Sequence, residues 1–319
     1  MDLVNETGFP ADLYWGPSGE REIGVVVVVK ATYEIGEGGL RVAEKNPWPV
    51  LAEELTTPWG TFPPEGPSRK PWVDLIVLGF ARPQGGEPVQ SMSVRLSAGP
   101  FRHELRVTGD RRWEKTAFGF RPSDPVPFRA MPLTWSNAFG GTSKCPTGPV
   151  PWVDNVEGKG FVFETEDPEG VELPNVEDPC CLVREPQDWP KPAGWAPYPV
   201  TGGYRLKRLM DETGRALPFE EVERFTTGWA HPDLMVDYLA AGAPVVLDGV
   251  TGSRPLGTNV PACPVKSALE AGKENRPFSF RLDTLIVAVE EKRLVARWRA
   301  ATTIEMRPRE ERLARVVPA

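Results

Sequence analysis

The sequence predicts a mainly β protein: an antiparallel, sandwich-like body with long Pro/Gly/Trp-rich loops and a few short helices. Three observations carry that prediction. The chain has 36 prolines and 31 glycines among 319 residues, about a fifth of the total, against roughly 12% in an average protein. Both residues break helix interiors. Apolar β-branched runs and period-two alternation recur at the two ends of the chain. Between them lies a long stretch without periodicity, dense in Pro and Trp.

Residues Ile23 to Ile35 (IGVVVVVKATYEI) are mostly apolar and β-branched, the pattern of a strand covered on both faces. Gly36, Gly38 and Gly39 supply a turn, and Leu40 to Val42 returns as a hairpin partner. Asn46 to Pro71 is an irregular excursion holding Trp48, Trp59 and Phe62; segments of that length inside a compact domain are functional or mobile. Val73 to Ala81 is a second apolar strand. In Gln90 to Leu96, Met92, Val94 and Leu96 alternate with Ser91, Ser93 and Arg95, which marks one buried face. Phe101 to Thr108 repeats that pattern, with His103 on the apolar side.

From Phe118 to Tyr204 the periodicity vanishes, and Trp135, Trp152, Trp189 and Trp195 punctuate a run of prolines. Aromatic residues at that density read as loops laid over sheets. Helical signals follow at Phe219, Val222 and Phe225 and again at Pro232 to Leu239. Pro244 to Leu247 is a short strand. Phe278 to Val289 and Leu294 to Thr303 form a hairpin turning at Glu290 to Arg293, with Leu294, Ala296 and Trp298 alternating with Val295, Arg297 and Arg299. Strands at both ends suggest terminal segments that share sheets in one unit, residues 1–319. A division near Pro199, into 1–199 and 200–319, is the alternative.

Composition excludes several function classes. With 37 basic and 44 acidic residues the net charge is −7, and no basic stripe marks a nucleic-acid binder. Arg111-Arg112 and Arg205 to Arg208 read as solvated surface. The four cysteines, Cys145, Cys180, Cys181 and Cys263, lack the paired spacing of a zinc site, and a reduced, cytoplasmic setting is expected. The start, MDLVNETGFP, has no basic-then-apolar pattern, and Val25 to Val29 is far too short to cross a membrane. His103 and His231 are the only histidines, and neither sits beside a Ser or Cys motif. The acidic cluster Glu164, Glu166, Asp167 and Glu169 lacks the spacing of a calcium loop. Gly140-Gly141-Thr142-Ser143-Lys144 has the composition of a phosphate loop but the wrong spacing. No catalytic, cofactor or metal site is expected.

Six phrases, in order, carry a family resemblance. They are Asn5 to Pro10; Lys30-Ala31-Thr32 at the end of the apolar strand; Lys70-Pro71-Trp72-Val73-Asp74 running into Val77 to Ala81; Gly109-Asp110-Arg111-Arg112-Trp113; Pro132-Leu133 followed by Asn137-Ala138-Phe139-Gly140-Gly141; and Leu173-Pro174-Asn175. Together they resemble a bacterial family of accessory proteins encoded beside type VI secretion genes. The resemblance implies a non-enzymatic cytoplasmic adaptor or chaperone. Its partners would be a secreted effector, often one with a PAAR-type tip, and the VgrG spike; nucleic acid and membrane are not among them. Two other readings stand beside it: a carbohydrate-active β-sandwich enzyme using paired carboxylates, and a glycan-binding module using Trp platforms.

Most of the phrase residues have structural explanations. Gly79, Gly109, Gly140 and Gly141 suit tight turns or close backbone approach. Lys30 and Asp74, each polar in an apolar strand, are expected to pair with each other. Asp110 beside Arg111 is expected to cap local backbone N–H groups. Trp113, Asn137, Phe139 and Asn175 join this structural set. Candidate partner anchors are Trp48, Trp59, Trp152, Trp189 and Trp195, because interfaces concentrate binding energy in a few aromatic and Arg side chains.

Overall fold

A computed structural model of the chain describes residues 1–18, 21–199, 210–211, 213–218, 227–271, 274–305 and 312–319. The fold is mainly β and built around three sheets. In chain order their strands are β1 (Asp2–Asn5), β2 (Ala11–Pro17), β3 (Glu22–Gly36), β4 (Gly39–Val42), β5 (Val73–Leu78), β6 (Ser91–Ala98), β7 (Phe101–Thr108) and β8 (Val176–Glu177). Then follow β9 (Met235–Val236), β10 (Pro244–Asp248), β11 (Leu256–Asn259), β12 (Val265–Ala271), β13 (Glu274–Phe278), β14 (Arg281–Ala288), β15 (Arg293–Glu305) and β16 (Arg312–Pro318). No helix among the described residues is long and apolar enough to cross a membrane.

The central sheet runs β9-β5-β14-β15-β3-β2, with β4 also paired to β3. Only β14 and β5 pair in parallel there. The second sheet is β8-β7-β6-β10-β11 and the third is β1-β16-β12-β13. Chain ends do share sheets: β1 lies parallel to β16, and β3 pairs with β15 along its length.

Side chains alternate across a sheet, so register assigns the faces of the central sheet. On one face lie Val25, Val27 and Val29 of β3 with Trp298 and Ala296 of β15 and Leu285 of β14. That face packs on both other sheets. Leu75, Val77, Leu285 and Val287 share a buried cluster with Val94, Leu96, Leu105 and Val107 of the second sheet. Val25, Val27 and Val29 meet Val265, Leu269, Ala314 and Val316 of the third. Burying a single Val or Leu contributes about 1.5–3 kcal/mol, so this doubly covered face is a large source of stability.

The other face carries Val26, Val28, Lys30 and Thr32, and it is covered by the irregular segment that precedes β5. Asn46 to Pro71 is thus ordered, with a small hairpin of Leu55–Thr57 and Gly60–Phe62 inside it. Trp48 donates its backbone N–H to Thr32 Oγ1 at 2.9 Å, and Arg293 donates to the carbonyls of Asn46 and Lys45. The middle of the chain is irregular as expected, but it contains short ladders that aperiodic sequence conceals, at Trp113–Thr116 with Gly119–Pro122 and at Thr142–Cys145 with Gly148–Pro151.

Two helical expectations fare differently. Phe219, Val222 and Phe225 lie outside the described residues. At Pro232 to Leu239 the helix is one 3-10 turn, Pro232–Leu234, which gives way to strand β9. His231 sets that turn, because its Nδ1 accepts the backbone N–H of Asp233 at 3.3 Å.

Candidate functional site

The face of the central sheet beneath the irregular segment holds a cluster of seven charged side chains among the described residues. Register places them together. Lys30 of β3 stands opposite Arg297 of β15, and Thr284 of β14 stands opposite both Arg297 and Asp74 of β5. Arg299 lies two residues beyond Arg297 on the same face. Asp283 joins them because the β14–β15 register shifts between Leu282 and Thr284; a bulge of this kind re-aims one side chain. Glu65 and Lys70 come down from the irregular segment. All seven are buried, with relative exposures of 7% or less.

Ionised groups persist in such an interior only when paired and hydrogen-bonded. Asp283 takes Arg297 Nε on one oxygen at 2.6 Å and Arg299 Nε on the other at 2.7 Å. Arg297 Nη1 donates to Glu65, whose second oxygen lies 2.6 Å from Lys30 Nζ. Lys30 Nζ also donates to the Pro49 carbonyl at 2.8 Å. Lys70 Nζ donates to Asp74 at 2.6 Å and to Thr284 Oγ1 at 2.8 Å. Asp74 further accepts the indole N–H of Trp72 and the backbone N–H of Trp229. The expected Lys30–Asp74 pair is therefore corrected: Lys30 pairs with Glu65, and Asp74 pairs with Lys70. Two strands lie between Lys30 and Asp74, and the overlying segment supplies the nearer partner to each.

Burial pushes both lysines down to about 8, against the pull of Glu65 on Lys30 and of Asp74 on Lys70. Burial alone would raise the Asp283 carboxyl, but Arg297, Lys70 and Arg299 outweigh it and hold the group well below the usual carboxylate range. The network also fixes how an irregular segment docks. Arg299 Nη1 donates to the carbonyls of Gly66 and Ser68 at 2.5 Å each. Lys70 takes a left-handed backbone, φ 35°, a conformation costing a non-glycine residue about 1–2 kcal/mol, and its two ammonium hydrogen bonds offset that strain.

A cavity of about 610 Å³ opens over this cluster, lined by Glu65, Trp229, Arg297 and Arg299 with residues Gly66 to Arg69. The Arg297 guanidinium carbon sits 4.0 Å from the centre of the Trp229 ring, and Lys30 Nζ lies 4.8 Å from it.

The other phrase residues meet at a second place, the exit of β7. Asn175 donates its side-chain amide to the Thr108 carbonyl at 2.9 Å and to Asp110 at 3.0 Å. Asp110 thus takes a side-chain amide, which corrects the expected backbone cap. Arg111 Nη2 bonds the Pro174 carbonyl at 2.8 Å and Glu177 at 2.6 Å. Asn137 donates to the Pro132 carbonyl and accepts the backbone N–H of Asn175. Trp113 and Phe139 are buried in one apolar cluster with Phe161 and Leu173. Gly140 and Gly141 lie against the Asn155 and Gly158 backbone.

The five tryptophans proposed as anchors divide by exposure. Trp195 is fully buried and donates its indole N–H to His103 Nδ1 at 3.0 Å, so it belongs to the core. Trp48 packs edge-on to Phe62 and Trp59 edge-on to Phe80. Trp152 packs on Phe139 and Phe161. Trp189 is exposed at 38% and stacks on Phe163. More exposed apolar groups lie elsewhere: Trp15 at 55%, and Phe118, wholly in solvent. The sequence reading missed both, and it missed Glu65, Asp283 and Trp229 of the buried cluster. Arg297 and Arg299 were visible only as the polar phase of an alternating strand.

No group of His, Cys, Asp and Glu suited to a metal ion occurs among the described residues. No curated protein and no solved structure matches the chain. A family model described as "Uncharacterized protein conserved in bacteria (DUF2169)" matches residues 20–299.

Proposed function

The chain belongs to this bacterial DUF2169 family, and from that premise we propose that it works as a non-enzymatic adaptor for type VI secretion. In this reading it holds a secreted effector, a PAAR-tipped one among the candidates, and delivers it to the VgrG spike in the cytoplasm. The observation that supports the reading best is Phe118. It sits in the turn joining Trp113–Thr116 to Gly119–Pro122, wholly exposed. The turn is held by Thr116 Oγ1, which accepts the Phe118 backbone N–H and donates to the Gly119 carbonyl. Trp113, at the root of the hairpin, is 1% exposed and anchors it in the core. A rigid arm that keeps a phenyl ring in water forgoes about 1.5–3 kcal/mol of burial, which a partner's pocket recovers.

A second feature agrees. β2 is an edge strand of the central sheet and carries the exposed Trp15. Open edges accept strands from other chains.

Affinity purification of the tagged protein from its native bacterium tests the reading. A PAAR-containing effector or the VgrG spike is expected among the retained proteins. Phe118→Ser is expected to reduce that recovery by about tenfold, the scale of a modest interface anchor, with Tm unchanged. Recovery of neither class of protein by the unmodified chain would overturn the adaptor role.

A further inference from the structure

We propose that the cavity over the buried charge cluster is a binding site for a carboxylate carried on an apolar stem. The site does not depend on the adaptor reading, and three features of it select the ligand. The first is charge. Among the described residues, four buried cations, Lys30, Lys70, Arg297 and Arg299, face three buried carboxylates, Glu65, Asp74 and Asp283. An excess cation in a low-polarity interior is costly until an anion joins it.

The second feature is an unused donor. Arg297 Nε is taken by Asp283 and Nη1 by Glu65. Its Nη2 is buried and has no hydrogen-bond partner among the described residues. The side chain is 2% exposed and lines the cavity. A guanidinium arm suits the planar, two-oxygen geometry of a carboxylate. Glu65 also lines the cavity; its Oε2 takes Arg297, and its Oε1 has no hydrogen-bond partner among the described residues but lies 2.6 Å from the Lys30 ammonium, so the surplus stays positive.

The third feature is the remaining wall. Trp229 flanks the guanidinium, and Pro63, Pro64 and Pro67 add apolar surface beside Ser68, Arg69 and Thr227, with Pro64 and Pro67 exposed. Apolar surface around a small number of placed polar groups is the usual composition of an organic ligand site. A bare inorganic anion would satisfy the charge and leave the indole and proline surfaces wet. Such a carboxylate has two sources, a free organic acid or the chain terminus of a protein.

Calorimetric titration of the full chain distinguishes them. The probes are 4-phenylbutanoate with its neutral amide, and the tripeptide acetyl-Ala-Leu-Phe as free acid and as amide. At least one acid is expected to bind with Kd at or below about 1 mM, and its amide about tenfold or more weakly. Binding of the tripeptide acid alone assigns a protein terminus, and binding of phenylbutanoate alone assigns a free acid. Pro67→Asp places a rival carboxylate at the exposed mouth and is expected to weaken the acid about tenfold with Tm unchanged. Arg297→Lys keeps the charge but loses the planar fork, and where it folds it is expected to do the same. Absence of acid binding, equal binding of acid and amide, or a Pro67→Asp chain that binds the acid as before would each overturn the assignment.

Discussion

Replacing Asp283 by Asn is expected to lower the free energy of unfolding by about 3–5 kcal/mol, the usual consequence of removing one partner from a buried ion pair. The amide fills the same volume, so the loss cannot come from a cavity. Asp283 is 1% exposed, and each of its oxygens serves a different arginine, Arg297 at 2.6 Å and Arg299 at 2.7 Å. With the charge gone, both guanidinium groups depend on Glu65, which is shared with Lys30 as well. Urea denaturation followed by tryptophan fluorescence measures the change. Glu290→Gln is the control. It breaks the surface pair with Arg82, whose side chains are 34% and 36% exposed, and should cost at most about 1 kcal/mol. Equal losses in the two variants would refute the importance given to the buried cluster.

The same carboxylate shapes the acid limb of stability. Its folded pKa lies below the ordinary value of 3.8, so its contribution is complete above that value and fades as pH falls toward the depressed one. The Asn variant should therefore show a shallower acid limb than the parent. On the alkaline side the slope keeps the same sign, but what changes there is a burial penalty being relieved. Lys30 and Lys70 are pushed from 10.5 down to about 8, so between those values the unfolded chain holds more protons. The lysine contribution to stability accordingly grows as pH rises through that window.

What was legible in the sequence follows from what local pattern encodes. The period-two alternation of Phe101 to Thr108 coincides with β7, and the hairpin of β14 and β15 stood out because each strand has one greasy phase. Lys30 and Asp74 were recognisable as buried polar residues for the same reason. Their partners were not. Glu65 and Lys70 sit in a segment with no period, and its fit to the sheet is set by long-range ion pairs that leave no local trace. Asp283 carries no local mark in the sequence, because a bulge depends on pairing and not on composition. The tryptophans illustrate the same limit. Trp195 and Trp189 lie in similar Pro-rich surroundings, yet the first is fully buried and the second exposed. By contrast, Gly79, Gly109, Gly140 and Gly141 signalled close approach: a Cβ at each would lie under 3.0 Å from a neighbouring atom.

Gly140→Ala follows from that last point and should rank with Asp283→Asn in severity, at about 3–5 kcal/mol of lost stability. Two costs combine. Gly140 has φ 145°, where L side chains are strained, and a Cβ there would lie 2.1 Å from the Asn155 carbonyl oxygen. That carbonyl cannot simply retreat. It accepts the Gly141 backbone N–H at 2.8 Å, while the Asn155 side chain donates to the Trp135 carbonyl at 2.7 Å and the Phe139 carbonyl at 3.0 Å. Moving Asn155 breaks a buried polar knot beneath Phe139, Trp152 and Phe161, whose rings pack together. The strain should propagate to the apolar cluster that anchors Trp113, and through it to the hairpin bearing Phe118. A thermal melt measures the first effect, and limited proteolysis at the exposed hairpin reads the second. Gly148→Ala serves as comparison: its φ is 125°, but a Cβ there meets no atom within 4 Å. It isolates backbone strain at about 1–3 kcal/mol, and similar losses at the two glycines would show that the contact with Asn155 adds nothing.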